Sequence, residues 1–216
     1  GLVGRSGVGV ASRRLASGRP GKGGKGGGKS RARLQRIGML SDDGHGHFHG
    51  ALVVPVVELN GQIREVYGRK INSDLRKGTL LHLYLPGPHA GVWNAQALVG
   101  AKTVILCESL IDAMSFWVAG FRTVTAAYGV NGVTAELREA FRHHGVRQVL
   151  IAFDNDSAGN EAAVKLAASF AADGIAPFRV LFPAGMDANG YLCQVAEPAQ
   201  AFGMLIDGAV VMQDAA

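Results

Sequence analysis

Beyond Thr103 the chain alternates between short apolar runs and longer stretches in which apolar positions recur every third or fourth residue. TVILCES, RTVTAAYG, QVLIAFDND and APFRVLFP read as strands, with LIDAMSFWVAG, TAELREAFRHHG and EAAVKLAASFAADG as the helices between them. Runs without polar alternation, such as VILC and VLIAF, have to be covered on both faces. The pattern therefore predicts an α/β fold, a Rossmann-like parallel sheet with flanking helices. Upstream, ALVVPVVELNGQIREVYGRKI reads as two strands joined across Asn60-Gly61, a dipeptide that favours the positive φ angles of a tight hairpin. LLHLYLPGPHAGVWN adds a short strand broken by Pro86, Gly87 and Pro88, LQRIGML a short helical turn, and SDDGHGHFHG a loop. The predicted organisation is a basic flexible tail over 1–33, a small α+β subdomain over 34–100, the α/β domain over 101–193, and a C-terminal helix and tail over 194–216.

Composition narrows the class. Of 216 residues, 48% are hydrophobic and 18% charged, which is enough to bury a core. No apolar run approaches the roughly 20 residues needed to span a bilayer. The arginine-rich start is not followed by the apolar segment of a signal peptide, so a cytoplasmic protein without membrane contact is expected. Cys107 and Cys193 lack metal-ligand or disulfide spacing and read as buried thiols. Residues 1–36 hold ten of the 22 lysines and arginines and no acid. Such an arm suits sliding contact with nucleic acid phosphates, and equally a solvated linker. Within it GGKGGGKS, Gly23–Ser30, fits the phosphate-loop pattern, but no apolar strand feeds it. Alternating glycine and lysine satisfies that pattern by composition alone, and the segment reads as a basic tether.

In a parallel sheet, ligands collect beyond the carboxyl ends of the strands. There the sequence places Glu108 after the first strand, Asp154 and Asp156 after the third, and Asp187 after the fourth, in FPAGMDANG. Two carboxylates about 4 Å apart repel by about 4 kcal/mol at an effective dielectric near 20, so such a cluster calls for cations or protons. Magnesium takes oxygen ligands, often one or two carboxylates plus substrate phosphates. A strand end and a helix cap account for any single one of these acids; the set together points to a metal site.

ILCESLIDAMS followed by IAFDNDSAGNEAA resembles the Toprim domain of bacterial-type DNA primases, topoisomerases and some nucleases and recombination proteins. The flanks favour primase: E-x-x-x-D-A from Glu108 to Ala113, AAYGVNG, and F-D-x-D-x-A-G-x-x-A-A from Phe153 to Ala163. Upstream, LQRIGMLSDDGHGHFHGALVVPV and EVYGRKI resemble the part of the primase catalytic core that precedes Toprim. The resemblance covers about residues 34–193. It implies a Mg2+-dependent nucleotidyltransferase, with Mn2+ as a substitute, making RNA primers on single-stranded DNA from nucleoside triphosphates. Glu108 would act as general acid/base or metal-linked carboxylate, and Asp154, Asp156 and Asp187 would bind metal. Arg64, Arg69 and Lys70 would meet template or triphosphate, although a solvated hairpin face also accounts for them. Where primases carry a further acid after the position of Asp187, this chain has Asn189 and Gly190. Asp112 reads as a residue that positions backbone or a basic side chain, or as a surface helix acid. A zinc-binding module and a replicative helicase would be supplied elsewhere on a longer chain or by a partner. Strand cleavage of the nuclease or topoisomerase kind, and a non-catalytic DNA-binding module, are the alternatives.

Histidines, aromatics and the glycine-lysine segment give further expectations. His45, His47 and His49 share one face of an extended segment and could hold zinc or nickel, but a fourth ligand is missing. Tyr84 and Trp93 are candidates for base stacking, whereas Trp117 falls on an apolar stripe with Ile111, Met114 and Phe121. Lys29→Ala is expected to leave nucleotidyl transfer largely intact in a primer-synthesis assay. Loss of activity in that variant with normal folding would restore the phosphate-loop reading.

Overall fold

The computed structural model describes residues 8–11, 27–72 and 74–212. They fall into two compact units, one of residues up to Val56 with Ile63–His89, the other of Val57–Gln62 with Ala90 onward.

The first unit is built on a sheet ordered β1 (Gly9–Ala11), β2 (Ala51–Val57), β3 (Ile63–Lys70) and β4 (His82–Leu83). β1 runs antiparallel to β2, pairing Gly9 with Val53 and Ala11 with Ala51. Pro55, which has no amide to donate, lies beyond the stretch paired with β1. In the β2–β3 turn Gly61 N donates to Glu58 O and Glu58 N to Gln62 O, both at 2.9 Å, and Gly61 has φ +82°. Asn60 keeps a negative φ, so this is a type I turn closed by a left-handed glycine, in place of positive φ at both residues. Gly68 in β3 is demanded by packing: a Cβ there would meet the ring of buried Phe48 at 2.5 Å.

Two elements fall inside the stretch expected to be a tail. One is β1; the other is helix α1 (Gly27–Arg36), which replaces the short turn read from LQRIGML. Its RARLQR segment consists of good helix formers, and Arg33 and Arg36 in the last turn suit the negative end of the helix dipole. Gln35 Nε2 donates to Ser41 O and Asp42 O, fastening α1 to the loop after it. Residues 1–7 and 12–26 of the predicted tail, among them Gly23–Gly26 of GGKGGGKS, lie outside the described residues, whereas Gly27–Ser30 open α1.

The second unit holds a sheet ordered β6-β5-β7-β8-β9, from β5 (Thr103–Cys107), β6 (Val124–Ala126), β7 (Gln148–Ala152), β8 (Ala176–Arg179) and β9 (Val210–Val211). The first four in that order are parallel; β9 joins β8 antiparallel, pairing Arg179 with Val210. Helices α2 (Leu110–Val118), α3 (Ala135–His144) and α4 (Ser157–Ala172) connect the parallel strands, and α5 (Ala188–Leu192) and α6 (Pro198–Asp207) follow β8. Val104, Leu106, Val149, Ile151 and Phe153 enter one core with Leu137 and Phe141 of α3 and Phe170 of α4; the Phe141 and Phe170 rings stack at 5.7 Å. Ile105, Cys107, Leu150 and Ala152 alternate with these and are buried as well. Both faces of the sheet are therefore covered, as the unbroken apolar runs require.

Three expectations change here. The boundary expected near Gly100 falls at His89 and Ala90, because the one-turn helix Ala95–Leu98 buries Leu98 completely in the second unit's core. The C-terminal stretch contributes a strand as well as a helix; two exposed valines are too short a run to show periodicity. Cys107 is buried, but Cys193 is exposed.

Candidate active site

The chain leaves β5 for β6 on one side and returns across it to β7 on the other. Between β5 and β7 the strand order reverses, which is where open α/β sheets bind ligands at the strands' carboxyl ends. Cys107 pairs with Ala152 in the last register of β5 and β7, so Glu108 leaves one strand beside Phe153 and Asp154 leaving the other.

On the β5 side, Ser109 caps α2, its hydroxyl accepting from Asp112 N. Asp112 is only 3% exposed, too deep for a surface helix acid. Its Oδ2 accepts from Ser109 Oγ at 2.5 Å and its Oδ1 from Asn189 N at 3.1 Å, so it ties α2 to the first turn of α5. Glu108 is half-buried, and its Oε2 is buried with no hydrogen-bond partner.

On the β7 side, Asp156 caps α4, accepting from Gly159 N at 2.7 Å. A Cβ on Gly159 would lie 2.3 Å from Asp154 O, so only glycine lets the helix start this close to the turn. Asn155 is stitched to the loop that bears Asp187. Its N donates to Met186 O at 3.0 Å, its O accepts from Gly185 N at 2.8 Å, and its Nδ2 donates to Phe182 O at 2.6 Å. Asp187 caps α5 by accepting from Gly190 N. The residues found in place of a further acid are thus occupied structurally: Asn189 N by Asp112, Asn189 Nδ2 by Ser115 Oγ, and Gly190 N by Asp187.

Charge accumulates here. Burial, then Asp112 and Asp156, pushes the Glu108 carboxyl above its ordinary range. Asp154 is pushed from 3.8 to about 7, first by burial and then by Glu108, Asp187 and Asp156. Asp112 also rises to about 7, through burial first and then Asp187 and Asp154, against the bonds from Ser109 and Asn189. The opposing charge is Arg179, 6% exposed at the end of β8. Burial lowers its pKa while Asp154 and Glu108 hold it up. A lone arginine in FRVLF, a segment read as a covered strand, was the signal for it: a buried guanidinium must find partners.

Among the described residues no three His, Cys, Asp or Glu side chains are grouped to hold one ion. The described residues therefore form no closed cage of the zinc kind. Carboxylates with an unpartnered oxygen at Glu108, on a half-open edge, fit a hard divalent cation that keeps several waters and takes one or two protein oxygens.

The basic candidates belong to the first unit. Strand alternation puts Arg64 and Lys70 on one face of β3 and Arg69 on the other. Arg69 Nη1 bonds His82 Nε2 at 2.6 Å, with Tyr67 OH on His82 Nδ1 at 3.0 Å, and Lys70 Nζ donates to His49 O. Nearby Glu65, unforeseen and 2% exposed, accepts from Leu85 N at 3.0 Å and bonds His89 Nδ1 at 3.2 Å. The three alternating histidines do not converge: His47 Nε2 bonds Tyr84 O at 2.8 Å, while His45 and His49 are exposed. Tyr84 packs at the edge of the His89 ring. Trp117 is half-buried, with the Arg122 guanidinium 3.4 Å over its ring.

Residues 105–192 match the family model described as Toprim-like. The chain carries a Toprim domain. No curated protein sequence matches it. Among solved structures, the Escherichia coli primase catalytic core is similar over 98% of this chain and 69% of that one, at 21% identity and a TM-score of 0.73. A DNA primase domain from Pseudomonas aeruginosa matches over 98% and 68%, at 21% identity and a TM-score of 0.73. The DnaG primase catalytic domain bound to single-stranded DNA matches over 98% and 70%, again at 21% and 0.73. These likenesses show the fold, that of a bacterial primase catalytic core. Glu108, Asp112, Asp154, Asp156, Asp187 and Arg179 all lie within the Toprim segment; Arg64, Arg69 and Lys70 precede it.

The raised carboxyls give the Toprim domain a signed pH dependence. Asp112 and Asp154 bind protons more tightly folded than unfolded, so the stability they contribute is complete below about pH 4 and lost as pH rises through about 7. In EDTA, Asp154→Asn is expected to raise the melting temperature near pH 8 and to flatten its fall between about pH 5 and pH 8. Thermal melts check this; a variant with the wild-type slope would contradict it.

Proposed function

We propose that this chain is the catalytic core of a primase-type nucleotidyltransferase that makes short RNA primers on single-stranded DNA. The observation that carries the reading is the buried, unpartnered oxygen of Glu108 beside the Asp154-Asn155-Asp156 turn, at the point where the strand order reverses. A scaffold that merely bound DNA would have no use for a strand-end carboxylate raised in pKa with one buried oxygen left without a donor.

In the reaction a primer 3′-hydroxyl attacks the α-phosphorus of a ribonucleoside triphosphate, a new P–O bond forms, and pyrophosphate leaves. Glu108 takes the proton from the attacking hydroxyl, a task suited to a carboxylate whose basicity has been raised by burial and by neighbouring acids. Asp154, Asp156 and Asp187 are the residues that would hold Mg2+, or Mn2+ in its place. When bound, that ion neutralises charge on the triphosphate and the carboxylates. Asp156 and Asp187 each engage one carboxylate oxygen in a helix cap and keep the other for this purpose. In the first unit, Arg64, Arg69 and Lys70 supply cations for phosphates of template or triphosphate.

The comparison structures bear on the partner. One primase catalytic domain of this fold is described as bound to single-stranded DNA, and we carry that substrate over as part of the reading. No described helix is long and apolar enough to cross a membrane. A cytoplasmic enzyme working with a zinc-binding module and a replicative helicase completes the proposal.

The test is synthesis of labelled oligoribonucleotides on single-stranded DNA with Mg2+. Glu108→Gln is expected to cut the product at least about a hundredfold with normal folding. Full activity in that variant, or cleavage of the DNA in place of synthesis, would refute the assignment.

A further inference from the structure

Arg179 makes five hydrogen bonds, and none goes to a carboxylate. Nη1 donates to Ile151 O at 3.2 Å, Phe153 O at 2.8 Å and Val180 O at 3.1 Å; Nη2 donates to Asp154 O at 3.0 Å and Asn160 Oδ1 at 2.8 Å. The guanidinium therefore grips the end of β7 by its backbone, up to the residue that turns into the acidic site. Lysine, with a single nitrogen, has no fork to reach these partners.

The bond to Asn160 sets the orientation of everything beyond it. A guanidinium can only donate, so the oxygen of Asn160 must face Arg179 and its nitrogen must face away. That nitrogen donates to Asn155 Oδ1 at 3.0 Å. With its oxygen so occupied, Asn155 turns its own nitrogen to Phe182 O at 2.6 Å, while its backbone pairs with Gly185 and Met186. One donor-only group thus fixes two amides in sequence. The last of them joins the turn carrying Asp154 and Asp156 to the loop carrying Asp187.

We propose that Arg179, Asn160 and Asn155 form a positioning network that fixes the Asp154-Asn155-Asp156 turn against the Asp187 loop before a cation arrives. The inference rests on the metal reading above. Without the network the same carboxylates would have to be gathered by the ion itself, at a cost to affinity. Residues that orient metal ligands from behind typically carry 10- to 100-fold in affinity.

The test is a Mg2+ titration of the full chain followed by thermal shift, beginning from EDTA. Asn160 is exposed, so Asn160→Ala removes the middle link with little threat to folding. It is expected to raise the half-saturating Mg2+ concentration about tenfold, with Arg179→Lys doing at least as much. At saturating Mg2+, primer synthesis by Asn160→Ala is expected to return to near wild type, since the reacting groups are untouched. A merely structural role would lower the metal-free melting temperature and leave half-saturation where it was; that result in Asn160→Ala overturns the network. Wild type showing no Mg2+-dependent shift would instead overturn the metal reading on which the network rests.

Discussion

Repulsion among carboxylates at the ends of two adjacent parallel strands is the constraint around which the second unit is arranged. Glu108 and Asp154 emerge side by side because β5 and β7 are paired to their last residues, and burial raises both above the ordinary carboxylate range. The protein meets this with devices made from its own groups. Asp156 and Asp187 spend one oxygen each on a helix cap, Asp112 is held by Ser109 and by Asn189 N, and Arg179 places a buried positive charge beneath the turn. None of these satisfies Glu108 Oε2. The site is organised but incomplete in charge, which is the condition expected of carboxylates that work with a cation.

The same arrangement explains where glycine and asparagine are indispensable. Gly159 lets α4 start against the backbone of Asp154, and Asn155 bonds at once to α4 and to the loop after β8. The D-x-D motif is therefore more than two acids at a spacing; its middle residue and the glycine after it hold the turn in place. Asn189, which stands where an acid was expected from the resemblance, provides the amide that anchors Asp112. A carboxylate at 189 could keep that backbone bond, but not the side-chain donation to Ser115.

Much of this was legible in the sequence, for physical reasons. Uninterrupted apolar runs announced a covered parallel sheet, and the acids stood at the ends of those runs, so Glu108, Asp154, Asp156 and Asp187 could be placed at one sheet edge. What escaped was whatever depends on contacts distant along the chain. Arg179 is a single charge in the strand segment FRVLF, and it finds partners on β7 and α4, far from it in sequence. Glu65 sits in an alternating strand whose burial is set by β4 and the segment to His89, not by its neighbours in sequence. β1 and β9 are too short to show periodicity, and each exists only because a longer strand offers an edge.

The most direct measurement is anomalous diffraction from crystals soaked in Mn2+, which marks cation positions independently of activity. The account predicts a peak at the sheet edge, within coordination distance of Asp154 or Asp156 and adjacent to Glu108. Saturating Mn2+ that leaves this edge without a peak would contradict it, as would an ion held only by the histidines at 45, 47 and 49.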